Sequence, residues 1–311
     1  MATVGEVINK VCSAGSGALG MNLKRGALQV LVKADKALFF TPGTELDPSR
    51  EFDAAYFQEL QIDGKVLVVD GIQNFAEVGN DDNTDTKTDD TQIVTNEGKY
   101  KFELGFNQGI YRNRQLESLQ GFGKYATAFI DREGNWLLTK SNSGGAKGYR
   151  TGQIKNGKYV FGTTQAGEES KIMFQWLDRF EFDRNYVFIP ECEFNGDYTL
   201  LEGISQVSLS LVNTPSNTDT TITFKAVLDQ DQKTPVTGLD IANVIRFRNG
   251  GTAQAVTPVA TSIPGVYTAT VTAVSTDDLI DLKIHNSSTS KDVIKLDDYL
   301  YKSALLTATV V

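Results

Sequence analysis

The chain has 311 residues, with 30 Lys and Arg against 39 Asp and Glu, and a formal net charge of −9 at pH 7. This acidic balance excludes a sequence-independent nucleic-acid binder, because such binding depends on Lys and Arg that neutralise phosphates. No apolar run approaches the ~20 residues of a membrane span, and the first residues lack the apolar stretch of a secretory signal. Cys12 and Cys192 make no disulfide framework, so we expect free, structural thiols.

The composition changes near Ser205. The last glutamate is Glu202, and from Gln206 onward Thr, Val and Ser dominate while Glu, Cys, Met and Trp are absent. This change predicts two domains, residues 1–205 and 206–311, and we expect both to be mostly β.

Two short helices are predicted in the first domain. One lies near residues 5–11, and the other covers NRQLESLQ, where Leu116 and Leu119 are three residues apart and Gly121 follows as a stop signal. Strands and helices do not alternate along the chain, which excludes a parallel nucleotide-binding sheet.

Alternating apolar residues predict the main strands of this domain. Residues 100–106 alternate with the period of a half-buried strand, and TAFI and NWLLT flank a Gly-containing hairpin loop. Ile172, Phe174 and Trp176 form another such face, which we expect to continue through residues 180–182 after a β-bulge.

The most distinctive segment is the acidic arm, residues 77–92, with the sequence EVGNDDNTDTKTDDTQ. It follows the apolar strand predicted at residues 66–70 and precedes the strand predicted at residues 98–106. A segment this polar cannot bury a core of its own, so we expect it to be disordered in the free subunit and ordered by a partner. The candidate assembly residues are Asp81, Asp82, Asp85, Asp89 and Asp90.

The stretch from Lys140 to Lys158 is rich in Gly and Lys and is the basic counterpart of the arm. Two interpretations stay open: a long flexible surface hairpin, or a surface that receives the acidic arm of a neighbouring copy. Its basic residues are Lys140, Lys147, Arg150, Lys155 and Lys158.

Two segments approach a calcium-binding or a phosphate-binding motif, but each lacks residues that the motif requires. Asp81, Asn83 and Asp85 have the spacing of an EF-hand, but Thr86 replaces the required Gly and Gln92 the bidentate Glu. Residues 152–159 approach a phosphate-binding loop but end in Tyr, and the Asn-Gly pair within them predicts a hairpin turn. We therefore expect no metal and no cofactor.

The sequence contains few residues of the types that catalytic sites use. His285 is the single histidine, and no G-x-S-x-G motif accompanies it, so a nucleophilic triad is not expected. A β-fold glycosidase needs only two carboxylates, for which Asp178, Glu181 and Asp183 are the candidates. Alternating charges at a strand end are more typical of a solvated face, so we expect a protein that is not an enzyme.

The second domain is predicted to be a β-sandwich, because β-prone runs alternate with turn signals. The runs begin at Val207, Thr220, Asn243, Gly265 and Leu279. The stretch PGVYTATVTA resembles a late strand of bacterial immunoglobulin-like domains, where a Tyr near the strand start, here Tyr267, ties down a corner.

The order of features in the first domain resembles that of phage tail tube subunits. A strand ending in DGIQNFAE leads into the acidic arm, followed by KYKFELGF, the helix NRQLESLQ, the hairpin YATAFIDREGNWLLT, a Gly-rich stretch and IMFQWLDRFEF. The resemblance covers residues 60–190, and an immunoglobulin-like domain, here residues 206–290, is also appended in such proteins. Residues 1–60 match no part of the pattern.

The resemblance implies a tail-tube-like β-sandwich or barrel with one or two short helices, followed by an immunoglobulin-like β-sandwich. It implies a structural virion protein of the tail, assembled in the host cytoplasm, whose copies form hexameric rings that stack into a hollow tube. The partners would be further copies and other virion proteins, with no membrane. DNA would pass as cargo without tight binding, since an acidic wall repels phosphate.

Other classes of function stay open beside this interpretation. One is another virion component, such as a head decoration, ring or fibre protein. Another is a surface adhesin that binds glycans on aromatic side chains of the second domain. The aromatic candidates are Phe224, Phe247, Tyr267, Tyr299 and Tyr301.

Overall fold

The computed structural model of the chain describes residues 2–13, 31, 33–79, 82–86, 92–163, 166–250 and 252–311. The fold is mostly β, which confirms the predicted fold class. The chain divides into two compact units, residues 1–60 with 64–201 and residues 61–63 with 202–311. Within the described ranges, no helix has the length and apolar character needed to cross a membrane.

The helices described are α1 (Val4–Ser13), α2 (Ala54–Ile62), α3 (Gly109–Glu117) and α4 (Phe180–Asn185), with 3₁₀ turns at Glu191–Glu193 and Tyr198–Leu200. The strands before Leu201 are β1 (Ala34–Phe40), β2 (Val66–Val69), β3 (Asn74–Glu77), β4 (Asn83–Thr86), β5 (Gln92–Asn96), β6 (Lys101–Phe106), β7 (Gly121–Phe122), β8 (Ala126–Asp131), β9 (Trp136–Lys140), β10 (Ala146–Lys147), β11 (Tyr149–Arg150), β12 (Gln153–Asn156), β13 (Ser170–Gln175) and β14 (Tyr186–Ile189).

A seven-stranded sheet in the first unit is buried on both faces. Its order is β10-β9-β8-β1-β2, with β11 on β8 and β14 on β9. Successive side chains of a strand point to opposite faces. Leu38 and Phe40 of β1 therefore join the core beneath α1 and α2, whereas Ala37 and Phe39 join the core shared with a second sheet. Each such fully buried Leu or Phe contributes about 1.5–3 kcal/mol.

The second sheet has the order β3-β6-β13-β12-β7. Phe102 and Leu104 of β6 and Ile172 and Phe174 of β13 are buried against the seven-stranded sheet, as their alternation predicts. Trp176 follows β13 and stacks on Tyr149 with ring centroids 4.0 Å apart.

Local sequence signals account for several elements. Thr3 and Glu6 form a capping box at the start of α1, with the Thr3 N–H donating to Glu6 Oε2 at 2.9 Å and the Glu6 N–H donating to Thr3 Oγ1 at 3.3 Å. The predicted β8–β9 hairpin is present, and its loop contains Gly134 with φ of 81°. The helix predicted over NRQLESLQ is α3, which begins earlier, at Gly109, and ends at Glu117.

Residues 180–185 form α4, so the strand predicted to continue through them is wrong. Asp178 Oδ1 accepts the Phe180 N–H at 2.9 Å and starts the helical turn, and Arg179 pairs with Asp183 four residues later. Phe182 packs against aromatic rings while Phe180 is 39% exposed, so the two Phe side chains do not share a face.

The Gly- and Lys-rich stretch is not a long flexible surface hairpin. It supplies β10, β11 and β12, and Ala146, Tyr149 and Ile154 are buried. The hairpin turn predicted at Asn156-Gly157 is also wrong. Neither residue has the positive φ of such a turn, and the Gly157 N–H donates to the Lys171 carbonyl at 2.7 Å, so the chain stays paired past this point.

The second unit contains two sheets that share one hydrophobic core. The first has the order β19-β20-β16-β15-β23-β22 and the second β18-β17-β21-β24. Their strands are β15 (Ser205–Leu211), β16 (Thr221–Leu228), β17 (Ile245–Asn249), β18 (Thr252–Val256), β19 (Pro258–Ala260), β20 (Val266–Thr270), β21 (Leu279–Ile284), β22 (Ile294–Leu296), β23 (Tyr299–Ser303) and β24 (Leu306–Thr309).

Tyr267 ties β20 to a loop, as the resemblance stated for this strand implies. Its hydroxyl donates to the Val236 carbonyl at 2.8 Å and accepts the Leu239 N–H at 3.3 Å. The Tyr267 ring is buried, so both hydrogen bonds lie in the core of this unit.

The two cysteines were expected to be structural. Cys192 is free, but it is exposed and so has no packing role. The side chain of Cys12 lies outside the described residues.

Candidate functional site

The acidic arm is an insertion between the neighbouring antiparallel strands β3 and β6. The Glu77–Phe102 pair is the last one before the chain leaves the five-stranded sheet. The strand predicted at residues 66–70 is β2 of the other sheet, and β3, at the end of DGIQNFAE, leads into the arm. The arm therefore extends from one end of the five-stranded sheet.

The described residues of the arm belong to a β-hairpin, where a segment disordered in the free subunit was expected. The hairpin reaches beyond the predicted bounds to Asn96, so from here on the arm is residues 77–97. Strands β4 and β5 pair with each other in an antiparallel two-stranded sheet. Thr, Ile and Val favour strands, which explains how so polar a segment adopts this structure. Neither strand pairs with another strand of the described chain.

Asp82 closes the root of the hairpin. Its Oδ1 atom accepts the Gly98 N–H at 2.7 Å, so the two strands of the arm are tied where they leave the domain. The same carboxylate forms an ion pair with the Arg179 guanidinium beside α4. The Gly98 hydrogen bond is the largest of the causes that lower the pKa of Asp82, and the charge of Arg179 adds to it.

Arg179 joins the arm to α4. Its Nε donates to Asp183 at 2.9 Å, and the Tyr100 hydroxyl donates to the same carboxylate at 2.9 Å. Burial is the main cause that raises the pKa of Tyr100. Tyr100 and Arg179 border a polar cavity of about 210 Å³. Its lining residues are Glu77, Gly79, Asp82, Gly98, Lys99, Tyr100 and Arg179.

A second ion cluster holds the other side of α4. Glu181 is buried and accepts the Arg150 backbone N–H at 2.8 Å and its Nε at 2.7 Å. Arg150 also pairs with Asp178 at 3.0 Å. Asp178, Glu181 and Asp183, the carboxylates considered for a glycosidase, are thus all engaged in contacts that hold α4 and the arm.

The five predicted basic residues fall into two groups. Thr139 locates the first group: its hydroxyl donates to the α4 carbonyls of Glu181 at 3.1 Å and Asn185 at 3.2 Å. Lys140 follows Thr139 in β9, and Lys147 lies opposite Thr139 on the neighbouring strand β10. Lys140, Lys147 and Arg150 therefore lie on the side of the unit that carries α4 and the arm root. Arg150 is already bound to Glu181 and Asp178.

Lys155 and Lys158 lie elsewhere. Lys155 pairs with Met173 in the five-stranded sheet, and the chain beyond it runs toward the end opposite the arm. The predicted basic surface is thus not a single patch.

The predicted acidic residues also have different environments. Asp82 is half-buried and paired, whereas Asp85 on β4 is exposed. Asp81, Asp89 and Asp90 lie outside the described residues.

Other candidate sites from the sequence have structural roles. His285 Nδ1 lies 2.9 Å from Asp292 Oδ1, and Asp292 also pairs with Lys283. Phe224, Phe247 and Tyr267 are buried, so they offer no stacking surface for a sugar. In the part of the chain that the structure describes, no three potential metal-ligating side chains come together.

Sequence reasoning missed Arg179 and Tyr100 as part of the arm root. The signal for Arg179 was its spacing of four residues from Asp183, which has meaning only on a helix, and α4 was read as a strand. Comparison with known proteins adds no family assignment: no protein-family model and no curated protein matches the chain.

Proposed function

We propose that the chain is a structural virion protein: a tail tube subunit whose copies form hexameric rings that stack into a hollow tube. The observation that carries this proposal is the acidic hairpin. It pairs only with itself among the described strands, yet Asp82 and Arg179 fix its root to the domain.

The physics of the hairpin favours a partner. An isolated two-stranded hairpin is marginally stable in water, and its unpaired edges can be covered by another chain. A fixed root reduces the conformational freedom that the arm would lose on binding. The arm is therefore suited to contact another copy.

The charge of the chain is consistent with a conduit for DNA. A net charge of −9 gives a surface that repels phosphate and avoids the strong retention that Lys and Arg would cause. Under this proposal the second unit is an immunoglobulin-like domain, supported by the two sheets around one core and by the corner that Tyr267 ties.

Electron microscopy of the purified chain at rising concentration tests the proposal. We expect rings or hollow tubes, because head-to-tail contacts close into rings and repeat along a stack. Monodisperse monomers at every concentration and salt condition would contradict it.

A further inference from the structure

The five-stranded sheet projects a hairpin at each of its two ends. The acidic arm leaves beside the Lys101–Gln175 pair. At the other end, marked by the Phe106–Ser170 pair, strands β12 and β13 continue into a second hairpin. We call residues 155–169 the distal hairpin; Lys155 lies at its base within the sheet, opposite Met173 of β13. Val160 and Glu169 pair within it, and the Thr163 N–H donates to the Ala166 carbonyl at 2.7 Å near its tip.

The distal hairpin presents unpaired positive charge among the described residues. Of its two acids, Glu169 pairs with Lys171 at 3.4 Å, whereas Glu168 accepts the Tyr159 hydroxyl at 2.5 Å and keeps its negative charge. Lys155 and Lys158 are exposed and form no ion pair with any residue that the structure describes.

Apolar side chains follow Lys158 in the chain. Phe161 is 71% exposed and Val160 is 46% exposed. The arm offers matching chemistry, since Asp85 and Glu97 are exposed carboxylates and Val94 is 50% exposed.

We infer that the distal hairpin receives the acidic arm of a second copy of this chain, through Lys155 and Lys158. The inference rests on the proposed function and names the surface that the arm contacts. Because the arm and the Lys158 part of the receiver lie toward opposite ends of one sheet, with Lys155 between them, the contact is heterologous. It leaves a free arm and a free receiver at the two ends of every stack. Lys140 and Lys147 lie on the side of the arm root, so they belong to the surface that carries the arm and are not part of the receiver.

A charge-reversal experiment with a matched control tests this assignment. The K155E/K158E variant should raise the protein concentration needed for assembly at least tenfold, whereas K140E/K147E, which changes the net charge equally, should assemble like the wild type. Combining K155E/K158E with D85K/E97K should restore assembly, because the charges of both surfaces are exchanged. Circular dichroism and thermal unfolding would verify that each variant is folded.

The outcomes separate this inference from the proposed function. If the wild type assembles and K155E/K158E assembles equally well, the receiver assignment is wrong and the proposed function stands. If K140E/K147E alone blocks assembly, the receiver lies on the side of the arm root. If the wild type never assembles, both proposals fail.

Discussion

Asp82 is the residue on which the geometry of the arm depends. Its carboxylate accepts the Gly98 N–H and pairs with Arg179, so one side chain joins both strands of the arm to α4. Backbone N–H groups that donate to a carboxylate stabilise its charged form. The arm root should therefore be intact only while Asp82 is ionised.

This dependence predicts a titration at Gly98. The pKa of Asp82 is lowered in the folded chain. The stabilisation of the arm root by the ionised carboxylate is therefore complete above the ordinary Asp pKa of about 3.9, and it is lost as the pH falls through the lowered pKa. The Gly98 amide proton should shift upfield in NMR spectra over that acidic range. Asp82→Asn should abolish the shift while retaining the nearby Glu77 and Asp183, and an unchanged shift in that variant would show that another group titrates.

At the scale of single elements, short helices were the hardest to predict. The alternation of residues 100–106 and 172–176 reports two half-buried strands, and both are present. The sequence did not reveal α2, because Tyr56, Phe57 and Leu60 are all buried and the helix has no polar stripe that would show a helical period. A capping signal is present, since Asp53 Oδ1 accepts the Tyr56 N–H at 2.8 Å.

The basic stretch shows a further limit of sequence. The basic residues of the stretch can be read from the sequence. Their division into two groups depends on which sheet each short strand joins, and pairing between distant strands leaves no local signal in the sequence. The candidate site was predictable as an acidic arm, whereas its anchor on Arg179 required the fold.

The Tyr267 corner gives a prediction for one element of the second unit. Tyr267→Phe removes the hydroxyl that is hydrogen-bonded to the backbone of Val236 and Leu239, and it leaves the buried ring and its packing in place. The free energy of unfolding should fall by about 1 kcal/mol, the usual net value of such hydrogen bonds. Chemical denaturation measures it, with Tyr299→Phe as the control because Tyr299 is 48% exposed. Equal effects of the two substitutions would argue against the corner.

At the scale of the whole molecule, we expect the arm to be needed for assembly but not for folding. No side chain of the arm that the structure describes belongs to either core of the first unit. Asp82 and Gly98 are in contact, so residues 83–96 can be replaced by two glycines that close the gap at the root. Such a variant should fold with the thermal stability of the wild type.

Electron microscopy of this arm-deleted variant beside the wild type, at equal protein concentration, tests the central claim most directly. We predict rings or hollow tubes for the wild type and folded, unstacked subunits or single rings for the variant. Stacked tubes formed equally by both proteins would contradict the claim that the acidic arm joins one copy to the next.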